Sequence, residues 1–236
     1  MPGRLMIDDW TRHAEMPAFH GDHSPILTPN AAPRRWLSIL RHEPGAESTS
    51  PTRPPLLREA FWGLTPDWLE VLDHAPHCAR AETLDERPMF RDSLDRRRCL
   101  VPVGGVYVWQ AGLRGKQPFL ITHARRAPLL LAGIWTRHAP DSQTSRDSFA
   151  LITVAAPECL TPLSDRLPAV ISSAQASAWL DEETTPDSVR ALLHPAGEEL
   201  LGAFPVSRSV NDPKQQAWHC AHPTGPMRLA RQPASS

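Results

Sequence analysis

Residues 98–110 read RCLVPVGGVYVWQ, a short apolar run. Two more such runs follow, QPFLITHA at 117–124 and PLLLAGIWTRH at 128–138. The connections between them, GLRGK and RRA, are short and polar, so the three runs predict a meander of antiparallel strands. SFALITVAA (148–156) adds a fourth strand, PAVIS (168–172) a fifth and AFPVSRSV (203–210) a last one. Upstream, RRWLSILRHE (34–43) alternates apolar and polar residues as a strand does, and LREAFWGLTPDW (57–68) reads as a strand ending in a turn at Pro66.

Helices belong at the margins of this pattern. Residues 8–19 open on an Asp cap and stop near Pro17, which predicts a short helix. Residues 20–34, rich in Pro, Asn and His, and 44–55 read as loops. The stretch 70–98 is irregular apart from a short helix near 89–97. Residues 173–183 begin with Ser and carry helical apolar spacing, and 185–194 form another capped helix. The expected class is therefore α+β, a curved or barrel-like sheet with peripheral helices. One domain is expected over 1–225, with a flexible tail over 226–236.

The chain has 236 residues, 41% of them apolar, enough for a substantial core. Its formal net charge is −1, which argues against the strongly basic surface of a bulk nucleic-acid coat. Of 25 basic residues only Lys116 and Lys214 are lysine. That bias fits a GC-rich genome or recognition of phosphates by guanidinium forks, and composition does not separate the two. Cys78, Cys99, Cys159 and Cys220 have no regular spacing, so neither a disulfide scaffold nor a zinc ribbon is predicted. Asp8, Asp9 and Trp10 stand where a signal peptide needs an apolar run, and no run has the roughly 20 apolar residues of a membrane span. A cytoplasmic protein with reduced thiols and no membrane contact is the expectation; nothing sets an oligomeric state.

Several segments together resemble the SRAP (SOS response-associated peptidase) family. They are GR at 3–4, NAAP at 30–33, FWGLTPDW at 61–68, ARAET at 79–83 and MF at 89–90. GGVYVW at 104–109, GKQPFLI at 115–121, LAGIW at 131–135 and LITVAA at 151–156 continue the series. DRLPAVIS at 165–172 and PVSRSV at 205–210 complete it. The resemblance implies a compact α+β domain on an irregular, mostly antiparallel β-barrel with peripheral helices. It also implies chemistry at abasic sites in single-stranded DNA, where the amine and thiol of an N-terminal Cys close a thiazolidine on the sugar aldehyde.

The residues that this chemistry uses are replaced here. The Cys position is Pro2, the Asn beside the AR pair is Cys78, the Glu of the GWFEW-like strand is Val108, and the His before DR is Ser164. Without a thiol at residue 2 no thiazolidine forms, Val108 moves no proton, and Ser164 lacks an activating base. The expectation is a divergent member that engages single-stranded or junction DNA, including abasic DNA, with crosslinking and peptidase activity impaired or lost. A second reading gives Pro2 a role. Trimming of Met1 exposes a secondary amine of pKa about 7.7–8.0, which forms an iminium with an aldehyde and promotes β-elimination as a lyase does. Glu82, Tyr107, Asp165 and His77 are the acid or base groups left to assist it. A third reading is an interaction protein that no longer uses DNA.

The resemblance places Arg4, Arg80, Arg166, Arg208 and Lys214 on phosphates and Trp68 against an unpaired base. Solvated faces or internal ion pairs, Arg80 with Glu82 for one, are the competing reading of these cations. DRRR at 95–98 reads as a solvated turn, and GLRG as a hairpin turn rather than a phosphate loop. His74, His77 and Cys78, and likewise His219, Cys220 and His222, are zinc-ligand types at spacings that match no standard site. No metal or other cofactor is expected.

Overall fold

A computed structural model describes residues 3–21, 23–45, 54–66, 68–69, 75–112, 115–138 and 145–229. The chain opens with β1 (Leu5–Ile7), β2 (Thr28–Ala31), β3 (Trp36–Arg41) and β4 (Leu56–Trp62). After β5 (Cys78–Arg80) comes α1 (Pro88–Arg96), then β6 (Arg98–Val103), β7 (Gly105–Gln110), β8 (Gln117–His123), β9 (Leu129–His138) and β10 (Arg146–Ala155). The last third holds β11 (Arg166–Pro168), β12 (Val170–Ile171), α2 (Ala176–Leu180), α3 (Pro186–Ala191), β13 (Leu201–Pro205) and β14 (Arg228–Leu229).

One sheet closes on itself. β10, β4, β3, β6 and β9 are neighbours in that order, and β9 pairs back onto β10, giving a mixed barrel of 5 strands. Every contact around it is antiparallel except β10 with β4, where Ser148 faces Phe61 and Phe149 faces Trp62. β5 continues along the same edge of β10, pairing Cys78 with Leu151. The second sheet runs β14-β13-β8-β7-β1-β2. The α+β, largely antiparallel barrel expected from the sequence is the observed architecture.

Connectivity departs from the expected meander. The run 98–110 is two strands in two sheets, broken at Gly104. A Cβ at Gly104 would lie 2.6 Å from Asp8 Oδ1 and 2.6 Å from Met6 Cε, so a larger residue there would have to displace the ends of both side chains. β6 then pairs with β9 in the barrel, while β7 pairs with β8 and β1 outside it. β8 turns to β13 rather than to β9.

Other expectations are corrected at short range. Residues 8–19 form turns instead of a helix, because the Asp9 carboxylate accepts from both the amide (3.3 Å) and the hydroxyl (2.6 Å) of Thr11. The 20–34 loop contains β2, and the irregular 70–98 stretch contains β5. DRRR is not a turn: exposed Asp95 and Arg96 end α1, and Arg98 opens β6. Arg98 is 4% exposed and donates to the carbonyls of Leu94 (2.6 Å), Asp95 (2.7 Å), Trp179 (2.6 Å) and Asp181, capping the ends of α1 and α2. β14 pairs with β13 through Leu229 and Gly202.

The barrel core is apolar and aromatic. Trp62 lies flat against Phe149, 6.3 Å between centroids, and its indole donates to the His77 carbonyl at 2.9 Å. This bond anchors the segment that leads into Cys78 and Arg80.

Candidate functional site

A groove of about 500 Å³ opens where β7, the β7–β8 turn, the segment before β11 and the turn after β13 converge. Arg4, Trp109, Lys116, Ser164, Asp165 and Asn211 line it, with Val108 and Leu163 as its aliphatic part. Five residues that the sequence reading singled out, Arg4, Tyr107, Val108, Ser164 and Asp165, thus share one groove.

Arg4 enters just ahead of β1. Its Nη1 donates to Asn30 Oδ1 at 2.8 Å and to the Val210 carbonyl at 2.7 Å, and its guanidinium carbon lies 5.7 Å from the Trp109 ring centroid. Its Nε is buried with no hydrogen-bond partner. Burial lowers the guanidinium pKa from its ordinary value.

Asn30 is the hub behind Arg4. It is fully buried on β2, and its side-chain amide donates to the carbonyls of Val210 (3.2 Å), Asp212 (2.9 Å) and Gln215 (3.0 Å). Gln216 Nε2 donates back to the Asn30 carbonyl at 3.1 Å. One side chain therefore ties Arg4 to the 210–216 segment. That segment brings Asn211, whose Oδ1 accepts from the Trp109 indole at 2.7 Å.

The replaced positions have no acid–base capacity of their own. Val108 is a buried hydrocarbon, and the Ser164 hydroxyl donates to the Arg166 carbonyl at 2.7 Å. Cys78 is buried on β5, and burial pushes its thiol up to about 12, far from a neutral-pH nucleophile. Pro2 lies outside the described residues.

Of the substitute acids and bases, Tyr107 is fully buried, its hydroxyl donates to the Pro29 carbonyl at 2.6 Å, and burial drives its pKa up. Glu82 is held by Arg166, with Nη1–Oε1 3.0 Å and Nη2–Oε2 2.7 Å, which keeps the carboxyl below its usual range. The expected Arg80–Glu82 pair is therefore replaced by Arg166–Glu82. Burial lowers the His77 pKa, favouring the neutral ring, which meets Trp62 edge-on at 5.9 Å. Asp165 is exposed in the groove.

The remaining predicted contacts lie apart from this groove. Trp68 is 64% exposed beyond the Pro66 turn, Arg80 is exposed at the end of β5, and Arg208 is exposed in the 3-10 turn 208–211. Lys214 is exposed on the Asn30-bound segment. Arg166 also donates to the Thr153 carbonyl at 2.6 Å, so its guanidinium is fixed from two directions. His74 is outside the described residues, and among the described ones no three His, Cys, Asp or Glu side chains gather as a metal site. No helix among them is long and apolar enough to cross a membrane.

Trp109, Lys116, Leu163, Asn211 and Asn30 were not singled out by sequence as site residues. NAAP, GGVYVW and GKQPFLI carried Asn30, Trp109 and Lys116 as family motifs without a site role. Nothing local marks Leu163 or Asn211, which reach the groove through tertiary folding.

The fold and groove define a class: a mixed β-barrel domain with an arginine-held cleft beside its second sheet. The chain belongs to the SOS response associated peptidase (SRAP) family, whose sequence pattern matches residues 1–213. The abasic site processing protein YoqW of Bacillus subtilis (strain 168) is 30% identical over 160 residues, 66% of this chain and 71% of that protein. The abasic site processing protein YedK of Escherichia coli (strain K12) is 28% identical over 207 residues, 86% of this chain and 87% of that protein. HMCES of Xenopus tropicalis, also an abasic site processing protein, is 28% identical over 211 residues, and the match spans 61% of its length. A crystal structure from Bordetella bronchiseptica has the same fold, with TM-score 0.73 at 19% identity over 88% of this chain and all 100% of that one.

Proposed function

We propose that this chain is a DNA-holding member of the family that engages single-stranded or junction DNA, abasic DNA included, without forming the thiazolidine crosslink. The composition of the groove carries the reading. Arg4 and Lys116 supply positive charge there, while the positions that resemble the family's proton-transfer groups are Val108 and Ser164. Cations beside the Val108 and Leu163 wall suit retention of a phosphate backbone, and the carboxylate in the lining, Asp165, is exposed and stands at neither of the two replaced positions. Cys78 does not replace the missing thiol, because burial keeps it protonated at neutral pH.

The test is fluorescence anisotropy with a labelled abasic single-stranded oligonucleotide across a salt series. Binding should weaken steeply with salt, with a log–log slope of about −0.7 for each phosphate neutralised. Arg4→Ala should reduce both affinity and slope. No salt-dependent binding would contradict the reading and favour an interaction protein that no longer uses DNA.

A further inference from the structure

The 210–216 segment contributes Asn211 to the first groove and Pro213, Lys214 and Gln216 to a second one of about 320 Å³. Ile26, Ala31, Leu37 and Trp36 form the apolar lining of this second groove, and Arg35 and Lys214 stand beside them. No Asp or Glu is among its lining residues. Neither Arg35 nor Lys214 forms an ion pair among the described residues. Trp36 touches the Phe61 ring edge-on, 6.0 Å between centroids, which steadies the indole while 45% of the residue stays in solvent.

An indole in solvent costs hydration free energy, and neither side-chain cation is paired across the groove, one oxygen of the neighbouring Asp212 carboxylate accepting from the Lys214 backbone amide at 2.9 Å. An apolar peptide would cover the indole and leave the cations unmatched. An anionic ligand with a planar ring satisfies both features. Because both grooves are built on the segment that Asn30 holds, a strand lying in the first is led towards the second.

From this we infer that the Trp36 groove is a second nucleotide subsite for single-stranded DNA, stacking an intact base on Trp36 and holding phosphate with Arg35 and Lys214. The inference rests on the DNA-holding reading of the first groove and deepens it: the strand is gripped at an undamaged nucleotide as well.

The experiment titrates fluorescein-labelled dT20 into wild type, Trp36→Ala, Trp36→Phe and the pair Arg35→Ala with Lys214→Ala, at several salt concentrations. Trp36→Ala should bind roughly tenfold more weakly, as loss of one base stack predicts, and Trp36→Phe should keep most of the affinity. The paired cation variant should lose about 1.4 from the magnitude of the salt slope, corresponding to two phosphate contacts on a single strand. Thermal melting of each variant separates loss of stacking from loss of fold, and Trp36→Phe keeps an aromatic ring against Phe61. If wild type binds dT20 while Trp36→Ala and the paired variant bind it equally well with unchanged slope, the inference is overturned and the DNA-holding reading stands. If wild type does not bind dT20 at all, both fall. If Trp36→Ala dissociates a dimer in sedimentation and leaves DNA affinity unchanged, the groove is a self-contact and the inference is likewise overturned.

Discussion

Glu82 and Arg166 show how a single pair sets the charge available on the surface next to β11. Their two-point contact withdraws a guanidinium that the motif DR alone presents as free. Replacing Glu82 by Gln removes the counter-charge, while the Thr153 carbonyl keeps Arg166 in place. Affinity for single-stranded DNA should then rise two- to fivefold with a steeper salt slope, checked by anisotropy. The pair also has a pH signature. Arg166 lowers the folded-state pKa of Glu82, so its contribution is present above the unfolded value of about 4.3 and lost as pH falls through the folded value. The stability difference between wild type and Glu82→Gln should be small at pH 7 and shrink progressively as pH falls below the unfolded value, read from urea denaturation at each pH. Sequence could not reveal this pairing: 84 residues separate the partners, and Arg80 lies closer in the chain.

At the scale of elements, long strands were legible and short ones were not. β9 and β10 are ten-residue runs buried almost throughout, so composition alone exposes them. β1, β2 and β5 are three or four residues long and owe their extended form to neighbours, which no local pattern records. β2 is the clearest case. It lies in a Pro- and Asn-rich loop sequence, yet it pairs with β1 and aims Asn30 at carbonyls 180 to 185 positions away. Asn30→Ala should cost about 2 kcal/mol in chemical denaturation, because it removes Arg4's side-chain acceptor and the amide that binds the Val210, Asp212 and Gln215 carbonyls together. Asn30→Asp still offers Arg4 an acceptor but has no donors for the carbonyls. Hydrogen exchange over 208–216 should therefore quicken in both variants, which a defect confined to Arg4 would not produce. The expected helix over 8–19 failed for an equally local reason, the Asp9 side chain closing a turn on Thr11.

For the whole molecule, barrel closure depends on a contact that a meander cannot supply, the parallel pairing of β10 with β4 beside the antiparallel β9–β10 hairpin. One end of the barrel is fastened by charge. Arg41, fully buried on β3, reaches Asp147 on β10 at 2.6 Å and lies 4.0 Å from the Trp135 ring centroid, while Arg137 on β9 meets the same carboxylate at 2.8 Å. Asp147→Ala strands a buried guanidinium that keeps only Glu43, at 3.0 Å, as an ionic partner. A loss of about 3 kcal/mol is expected in denaturant unfolding, with DNA affinity unchanged in the folded fraction. The family fold was thus legible from motif order, and the groove only in part, because its walls come from four separate parts of the chain. The central claim is that this groove holds DNA without bonding to it. Intact-mass spectrometry after incubation with abasic single-stranded DNA, with and without borohydride, tests it most directly. Protein of unchanged mass is expected in both arms under conditions where anisotropy shows binding. A DNA adduct stable without reductant would contradict it, and one trapped only by borohydride would replace it with an iminium-forming enzyme acting through the Pro2 amine.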